Sequence, residues 1–352
     1  VGFDSLKQRE HQRRQRRLAI LSAASLAGMA ITSGLAVTAY LARIEAEEQR
    51  RIAEIEAETA RQTTDFMVGL FEVSDPSEAL GNTITAREIL DKGAERIETE
   101  LADQPEIQAT LMDTMGTVYT SLGLYDAAVP LVAMSAERRR AIFGNQHSAV
   151  AESLSHLGEV QMLKAEYAAA AENLREALAV RRELLGNESP EVAETMTQLA
   201  VVFAEQGEYA AAEPLIRESL EIRRAVFGES HPDVAESLEE LGLNLYDQGD
   251  FDQSVTMLEQ AVAMRRETQG EIHPDLAEAI NNLAFVTEAT GDLKEAEARY
   301  LEALEMERKL YDEAHPSIAI ALSNVAYIYL VQGEYDAAEP MYEELIELQK
   351  SL

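Results

Sequence analysis

The chain contains two patterns of hydrophobic residues, one continuous and one periodic. The continuous pattern runs from Leu18 to Ala42, where 25 consecutive residues carry no charge between Arg17 and Arg43. Because about 20 apolar residues suffice to cross a bilayer as a helix, this run predicts a transmembrane helix over 18–42. A cleavable signal peptide is the alternative interpretation, although its apolar region is usually only about 7 to 15 residues long.

The periodic pattern begins at residue 105 and repeats every 42 residues to the end of the chain without an insertion. One column of the repeat is alanine throughout: Ala109, Ala151, Ala193, Ala235, Ala277 and Ala319. A second column always holds a small residue: Gly123, Ala165, Gly207, Gly249, Gly291 and Gly333. One structural unit is therefore copied six times over residues 105–352.

Each copy has the features of two helices joined by a tight turn. The second column supplies the turn, either because the backbone needs a positive φ there or because another backbone segment approaches closely. A single helical pair cannot bury its apolar stripe, so neighbouring pairs must stack to form a core. The pattern predicts an all-α fold, an α-solenoid of six helix-turn-helix repeats.

The segment between the two patterns is predicted to be mainly helical. Residues 43–84 begin with alternating acidic and basic side chains, typical of a solvated helical linker, and end in a loop of turn-forming residues. Thr85 and Glu88 then form a capping box, which opens a helix over 85–104 that caps the first repeat. A basic juxtamembrane segment at 1–17 completes the predicted domain order.

The repeat columns resemble the tetratricopeptide repeat, and the 42-residue length resembles its kinesin-light-chain form. The resemblance covers 105–352 and is clearest at 273–284 and 291–297, which read HPDLAEAINNLA and GDLKEAE. It implies a concave surface lined by the first helix of each repeat, with a peptide or protein as the partner. Because the fold serves many unrelated partners, it does not identify this one.

A second resemblance concerns residues 65–76 and 85–93, which read DFMVGLFEVSDP and TAREILDKG. Together with the predicted membrane helix, they resemble the segment that joins the membrane helix to repeats in bacterial transmembrane serine/threonine protein kinases. The kinase domain of such proteins precedes the span. This chain has no Gly-rich nucleotide loop, His-Arg-Asp loop or Asp-Phe-Gly motif, so we expect no catalysis from it. The resemblance implies the non-catalytic C-terminal half of such a kinase.

Charge narrows the function further. A formal net charge of −34 excludes a nucleic-acid-binding protein, because affinity for phosphates requires clustered Lys and Arg, and it favours a basic partner. Residues 1–17 are the exception, with six basic and two acidic side chains. By the positive-inside rule, the N-terminus is expected in the cytoplasm of a bacterium, and the repeats across the inner membrane in the periplasm or outside the cell.

Two columns that could carry chemistry have structural interpretations. One reads Ser189, His231, His273 and His315, each followed by proline. Neighbouring helices lie about 8–10 Å apart, too far for these imidazoles to share a metal ion, so the column is interpreted as a series of helix starts. The other is basic and lies near the end of each second helix: Arg140, Arg182, Arg224, Arg266 and Arg308. Cations there favour the helix dipole and pair with glutamates, so no metal or cofactor is expected.

The candidate partner-binding column lies on the first helices and reads Thr114, His156, Gln198, Glu240, Asn282 and Asn324. In the family that the repeats resemble, asparagines at this place hold the backbone of a bound peptide. Asn282 and Asn324 match that pattern, His156 and Gln198 can substitute, and Glu240 departs from it, as does the threonine. The alternative is a row of ordinary solvated side chains.

The predicted function is a membrane-anchored scaffold for a protein or peptide. The alternatives are the C-terminal half of a kinase and an exported soluble repeat protein.

Overall fold

The computed structural model describes residues 86–311 and 314–352, together with isolated positions between 40 and 68. The chain divides into two compact units, residues 1–89 and 90–352. In the first unit, every described position between 40 and 68 is helical. The predicted transmembrane helix over 18–42 lies outside the described residues except for Tyr40. Among the residues that are described, no helix has the length and apolar character needed to span a bilayer.

From residue 86 onward the described residues form thirteen α-helices and no strand. The helices are α1 (Ala86–Glu100), α2 (Pro105–Ser121), α3 (Tyr125–Phe143), α4 (Ser148–Leu163), α5 (Tyr167–Leu185), α6 (Pro190–Glu205), α7 (Tyr209–Phe227), α8 (Pro232–Asp247), α9 (Phe251–Gln269), α10 (Pro274–Ala289), α11 (Leu293–Leu310), α12 (Pro316–Gln332) and α13 (Tyr335–Ser351). From α2 to α13 each even-numbered helix packs against the next one, which gives six helical pairs. The prediction of an all-α solenoid is confirmed.

The histidine column opens the first helices, as its structural interpretation requires. His231, His273 and His315 are N-cap residues, and their Nδ1 atoms accept a hydrogen bond from the backbone N–H two residues further on, each at 3.2 Å. Ser189 caps α6 in the same way, accepting from the amide of Val192. These side chains satisfy amides that would otherwise lack a partner at the start of a helix.

The turn column is required for its backbone conformation. All six of its residues have a positive φ, between 59° at Ala165 and 92° at Gly291. A Cβ atom built on any of the five glycines would meet nothing within 4 Å, so close approach of another segment is not the reason for the glycines. Ala165 is the exception in sequence but not in structure, because it adopts the same left-handed conformation without the freedom of glycine.

Small residues inside the first helices bring the two helices of a pair together. Gly158 of α4 lies so close to α5 that a Cβ atom there would be 2.6 Å from Cγ of Leu174. Gly242 of α8 stands in the same relation to Leu258 of α9, at 2.7 Å. Five of the six residues of the alanine column are buried in the same interior, and the sixth, Ala319, is half-buried. The buried apolar residues therefore form a series of clusters between the two rows of helices.

Successive first helices also contact one another, from α2 through α4, α6 and α8 to α10. Helices that approach each other across repeat boundaries lie on the inner side of a solenoid, so the first helices line a groove. The groove is defined here as the exposed and half-buried surface of α2, α4, α6, α8, α10 and α12.

Candidate functional site

All six residues of the candidate column lie on the first helices, and all six are half-buried. Their partners differ. The hydroxyl of Thr114 donates to the carbonyl of Thr110 in its own helix. Gln198 has a buried Oε1 without a hydrogen-bond partner among the described residues. The column is therefore not a uniform row of free amides, and each member has to be considered separately.

His156 connects the first two repeats. Its Nδ1 lies 2.9 Å from Oδ2 of Asp113, which belongs to the preceding first helix. The hydrogen bond with Asp113 raises the pKa of His156, against the opposing effect of burial. Burial alone would raise the pKa of Asp113, but its hydrogen bond with His156 and the charge of Arg139 lower it. His156 therefore uses one ring nitrogen inside the scaffold, and its pairing with Asp113 favours the protonated form.

Asn324 repeats this geometry at the other end of the array. Its Nδ2 donates to Oδ1 of Asn281 at 2.6 Å, so the two residues join α10 and α12. The spacing of 43 residues along the chain is the same as that between Asp113 and His156. Asn324 is thus partly engaged within the scaffold.

Glu240 introduces an unusual charge into the middle of the groove. Burial raises the pKa of its carboxyl to about 7, and the charges of Glu236 and Glu278 act in the same direction against that of Arg223. Near neutral pH a substantial fraction of this side chain is protonated, and a cation placed beside it would favour the ionised form.

Four arginines that the sequence analysis did not single out fasten each repeat to the next. They form the buried arginine column near the ends of the second helices: Arg139, Arg181, Arg223 and Arg265. Arg181 is half-buried, and the other three are buried. In the first three, Nη1 donates to a carbonyl in the first turn of the following helix, at Ala149, Glu191 and Asp233 and at distances of 2.9–3.0 Å. Arg265 instead pairs with the carboxylates of Glu239 and Asp275. The sequence already shows this column, because arginine recurs every 42 residues one position before each of the first four residues of the basic column.

The basic column that follows it by one residue is structural, as expected, and four of its five arginines are half-buried. Four of its arginines pair with glutamates 36 residues further on at 2.5–2.8 Å: Arg140 with Glu176, Arg182 with Glu218, Arg266 with Glu302, and Arg308 with Glu344. The fifth, Arg224, has Gln260 in place of that glutamate and makes two longer contacts of 3.4 Å with other glutamates. These ion pairs therefore join successive second helices.

The buried arginine column ends at Glu307, which occupies the corresponding place in α11. A cavity of about 420 Å³ lies beside it, bounded by α10, α11 and α12. Its lining includes polar and apolar groups: Glu278, Asn281, Asn282, Glu307, Ser317 and Ile320. Among the residues that the structure describes, no cluster of three or more His, Cys, Asp or Glu side chains could hold a metal ion. Asn282 of the candidate column lines this cavity.

Comparison with known proteins agrees with this architecture. A family model described as "Tetratricopeptide repeat" matches residues 106–183, 149–225, 191–267 and 275–351, and a second model with the same description matches 239–308. No curated protein is significantly similar to the chain.

Among solved structures, the chain is similar to BtubC (BKLC) from P. vanneervenii, with a TM-score of 0.55, 25% identity, and coverage of 65% of this chain and 94% of that one. It is similar to a putative kinesin light chain with nearly identical repeats from Podosopora anserina, with a TM-score of 0.52, 23% identity and coverage of 58% and 98%. A STAND signal-transduction ATPase with a tetratricopeptide repeat sensor from Pyrococcus horikoshii gives a TM-score of 0.56 at 14% identity, with coverage of 75% and 40%. The last two likenesses concern the fold alone.

Proposed function

We propose that this chain, which belongs to the tetratricopeptide repeat family, binds a segment of another polypeptide along the groove of its first helices. The fold is typical of protein–protein interaction scaffolds. The observation that carries the proposal is the half-buried polar column on those helices, which ends in Asn282 and Asn324. Amide side chains there can donate to and accept from a peptide backbone without regard to its sequence.

The bound segment is proposed to be basic. Glu236, Glu240 and Glu278 lie close enough in the groove for the charges of the other two to raise the pKa of Glu240. A lysine or arginine of a partner would relieve this repulsion, and the net charge of −34 attracts such a partner over longer distances. Affinity is therefore expected to fall as the salt concentration rises.

The test is to select binders for the full chain from a randomised peptide library and to measure their Kd by fluorescence polarisation. We expect selected peptides to be enriched in lysine and arginine and to bind the Asn282→Ala plus Asn324→Ala variant at least tenfold more weakly. Exposed threonines on the second helix α9 supply the control, Thr256→Ala plus Thr268→Ala, which should leave the Kd unchanged. Equal affinity of wild type and the asparagine variant would remove the groove from consideration.

The placement of the scaffold is a further part of the proposal and rests on the sequence alone. Residues 18–42 would anchor the chain in a bacterial inner membrane, with 1–17 in the cytoplasm and the repeats on the opposite side. A reporter enzyme that works only outside the cytoplasm, fused after Leu352, should be active. Activity only of a cytoplasmic reporter at that place would reject the topology.

A second candidate is that the scaffold serves a kinase. The resemblance of 65–76 and 85–93 to the corresponding segment of transmembrane serine/threonine kinases supports it. The chain would then be the C-terminal half that senses a signal or recruits a substrate. Reading the genomic sequence upstream of the codon for Val1 decides the matter: a kinase domain in frame supports this candidate, and an immediate start codon rejects it.

A further inference from the structure

The buried arginine column occupies a position in the fold that accommodates a guanidinium group. In three successive repeats the guanidinium donates to a carbonyl of the following first helix, ten residues along the chain, and the arginine side chain is only 7–12% exposed. Each of these arginines fills the space between its own second helix and the next first helix. A chain that kept the same backbone but lacked the arginine would leave that space open.

The fifth repeat lacks the arginine and leaves this space open. Glu307 replaces the arginine, and the residue ten positions further on is Ser317, which lines the cavity. Glu307 is only 9% exposed. Its Oε2 is buried and has no hydrogen-bond partner among the described residues. A buried carboxylate oxygen without a donor is costly unless something supplies one.

We propose that the cavity beside Glu307 is a receptor for a single arginine side chain of the partner polypeptide, which enters from the groove and takes the place that an internal arginine holds in the earlier repeats. The proposal rests on the groove function proposed above and specifies one residue of the bound segment. It assigns Glu307 as the anion, with the carbonyl of Ser317 as the acceptor that corresponds to those used by the internal arginines.

The lining favours arginine over other cations. A guanidinium has five N–H donors in a plane and can serve a carboxylate and a carbonyl at the same time, whereas an ammonium group is a compact point charge. Glu278 adds a second carboxylate to the lining, and Asn281 and Asn282 add side-chain amide oxygens. Ile320, whose side chain is 60% exposed, offers an apolar surface for the methylene stem.

Burial raises the pKa of Glu307, the charge of His315 opposes this, and that of Glu278 reinforces it. Tyr311 also lines the cavity, with its ring stacked on that of His315. An arriving guanidinium would stabilise the ionised form of the carboxyl, so binding should weaken in acid as this group is protonated.

The experiment compares three probe peptides that differ at one residue, Ac-Gly-Ala-Xaa-Ala-Gly-NH₂ with arginine, lysine or citrulline, by NMR titration of the full chain in detergent micelles. Citrulline keeps the shape of arginine and removes its charge. We expect the side-chain amide signals of Asn281 and Asn282 to shift with the arginine peptide, with at least tenfold weaker binding of citrulline and intermediate binding of lysine. Equal binding of all three peptides, or no shift at these amides, would overturn the proposal without the use of any variant.

Two variants of the anion sharpen the test. Glu307→Gln should weaken the arginine peptide at least tenfold, whereas Glu305→Gln, on the exposed side of the same helix, should leave it unchanged. Glu307→Arg should fill the cavity from within: we expect loss of peptide binding together with a raised Tm. An unchanged Kd in Glu307→Gln, or retained binding in Glu307→Arg, would reject the receptor.

Failure of the arginine receptor can be distinguished from failure of the proposed groove function. If library peptides bind wild type and Glu307→Arg equally, the groove binds a partner and the arginine receptor is rejected. If the arginine probe binds as described but the asparagine double variant retains full affinity for library peptides, the cavity is a cation site and the proposed contact along the asparagine column is wrong.

Discussion

Replacement of Glu240 by glutamine tests the electrostatics of the groove directly. The carboxyl lies half-buried on α8, where burial and the nearby charges of Glu236 and Glu278 hold its pKa at about 7. Glutamine has nearly the same shape and never ionises, so Glu240→Gln removes the charge and leaves the packing in place.

The sign and size of the effect follow from the pKa. In the unfolded chain the carboxyl ionises near 4.5, so the folded state prefers the neutral form. Stability is therefore lost as the pH rises from about 4.5 to about 7 and stays level above that. The full difference corresponds to about 3 kcal/mol, and relaxation of the groove reduces what is observed to about 1–3 kcal/mol. The variant should gain this amount at pH 8.5 and almost nothing at pH 4.5.

The measurement is urea unfolding followed by circular dichroism at both pH values, for wild type, Glu240→Gln and the control Glu172→Gln. Glu172 is exposed on the second helix α5, so its substitution should be neutral at both pH values. Because the comparison is made within each pH, titration of other groups cancels. A variant that is no more stable than wild type at pH 8.5, or a gain of equal size at pH 4.5, would refute the account of a desolvated carboxyl.

Three further predictions concern the scaffold. Ala165→Gly should stabilise the protein by about 1 kcal/mol in urea unfolding, because glycine relieves the left-handed backbone, whereas Gly207→Ala at the equivalent turn should destabilise it by a similar amount; effects of the same sign would contradict this. Gln260→Glu restores the ion pair that Arg224 lacks and should stabilise by about 0.5 kcal/mol, a gain that disappears in 1 M salt. His156→Gln should destabilise more at pH 5.5 than at pH 9, because the hydrogen bond with Asp113 raises the histidine pKa and its stabilisation is lost as the pH rises through that value; equal loss at both pH values would show that His156 contributes only packing.

The regular part of the fold was predictable because every repeat repeats the same local requirements. The 42-residue register predicts where the helical pairs recur, and Gly207 and Ala165 mark the same turn in two copies. The sequence left two reasons open for the small residue at that turn. The structure decides for the positive φ, since the space around the glycines is empty.

The candidate site was harder to predict because its contacts cross the repeat boundary. The candidate column is defined by a spacing of 42, whereas the hydrogen bonds of His156 to Asp113 and of Asn324 to Asn281 have a spacing of 43. Alignment of equivalent positions cannot show that a side chain in one column reaches the neighbouring column of the previous repeat. Whether those side chains also bind a partner stays a prediction.

The buried arginines were missed for a different reason. Charged residues are rarely buried, so a basic residue at the end of a helix is naturally interpreted as solvated. Arg140 is half-buried and keeps contact with solvent, whereas Arg139 is buried. One residue of rotation on a helix separates the two environments. Once Arg139 is known to be internal, however, the break in its column at Glu307 acquires a meaning that the sequence alone could not supply.

Departures from the repeat differ in what they imply about function. Ala165 replaces glycine at a turn and keeps its geometry, and Gln260 removes one ion pair from the basic column between second helices. Glu307 alone of these three reverses the charge of a buried position, and it lies beside a cavity with a carboxylate oxygen that lacks a donor. A scaffold gains no stability from such a substitution, because the interaction that fastened the next repeat is lost and a desolvated charge is added. A guanidinium from the partner would replace the lost interaction and neutralise the buried carboxylate. For this reason Glu307, more than the regular column of amides, indicates a particular residue of the partner.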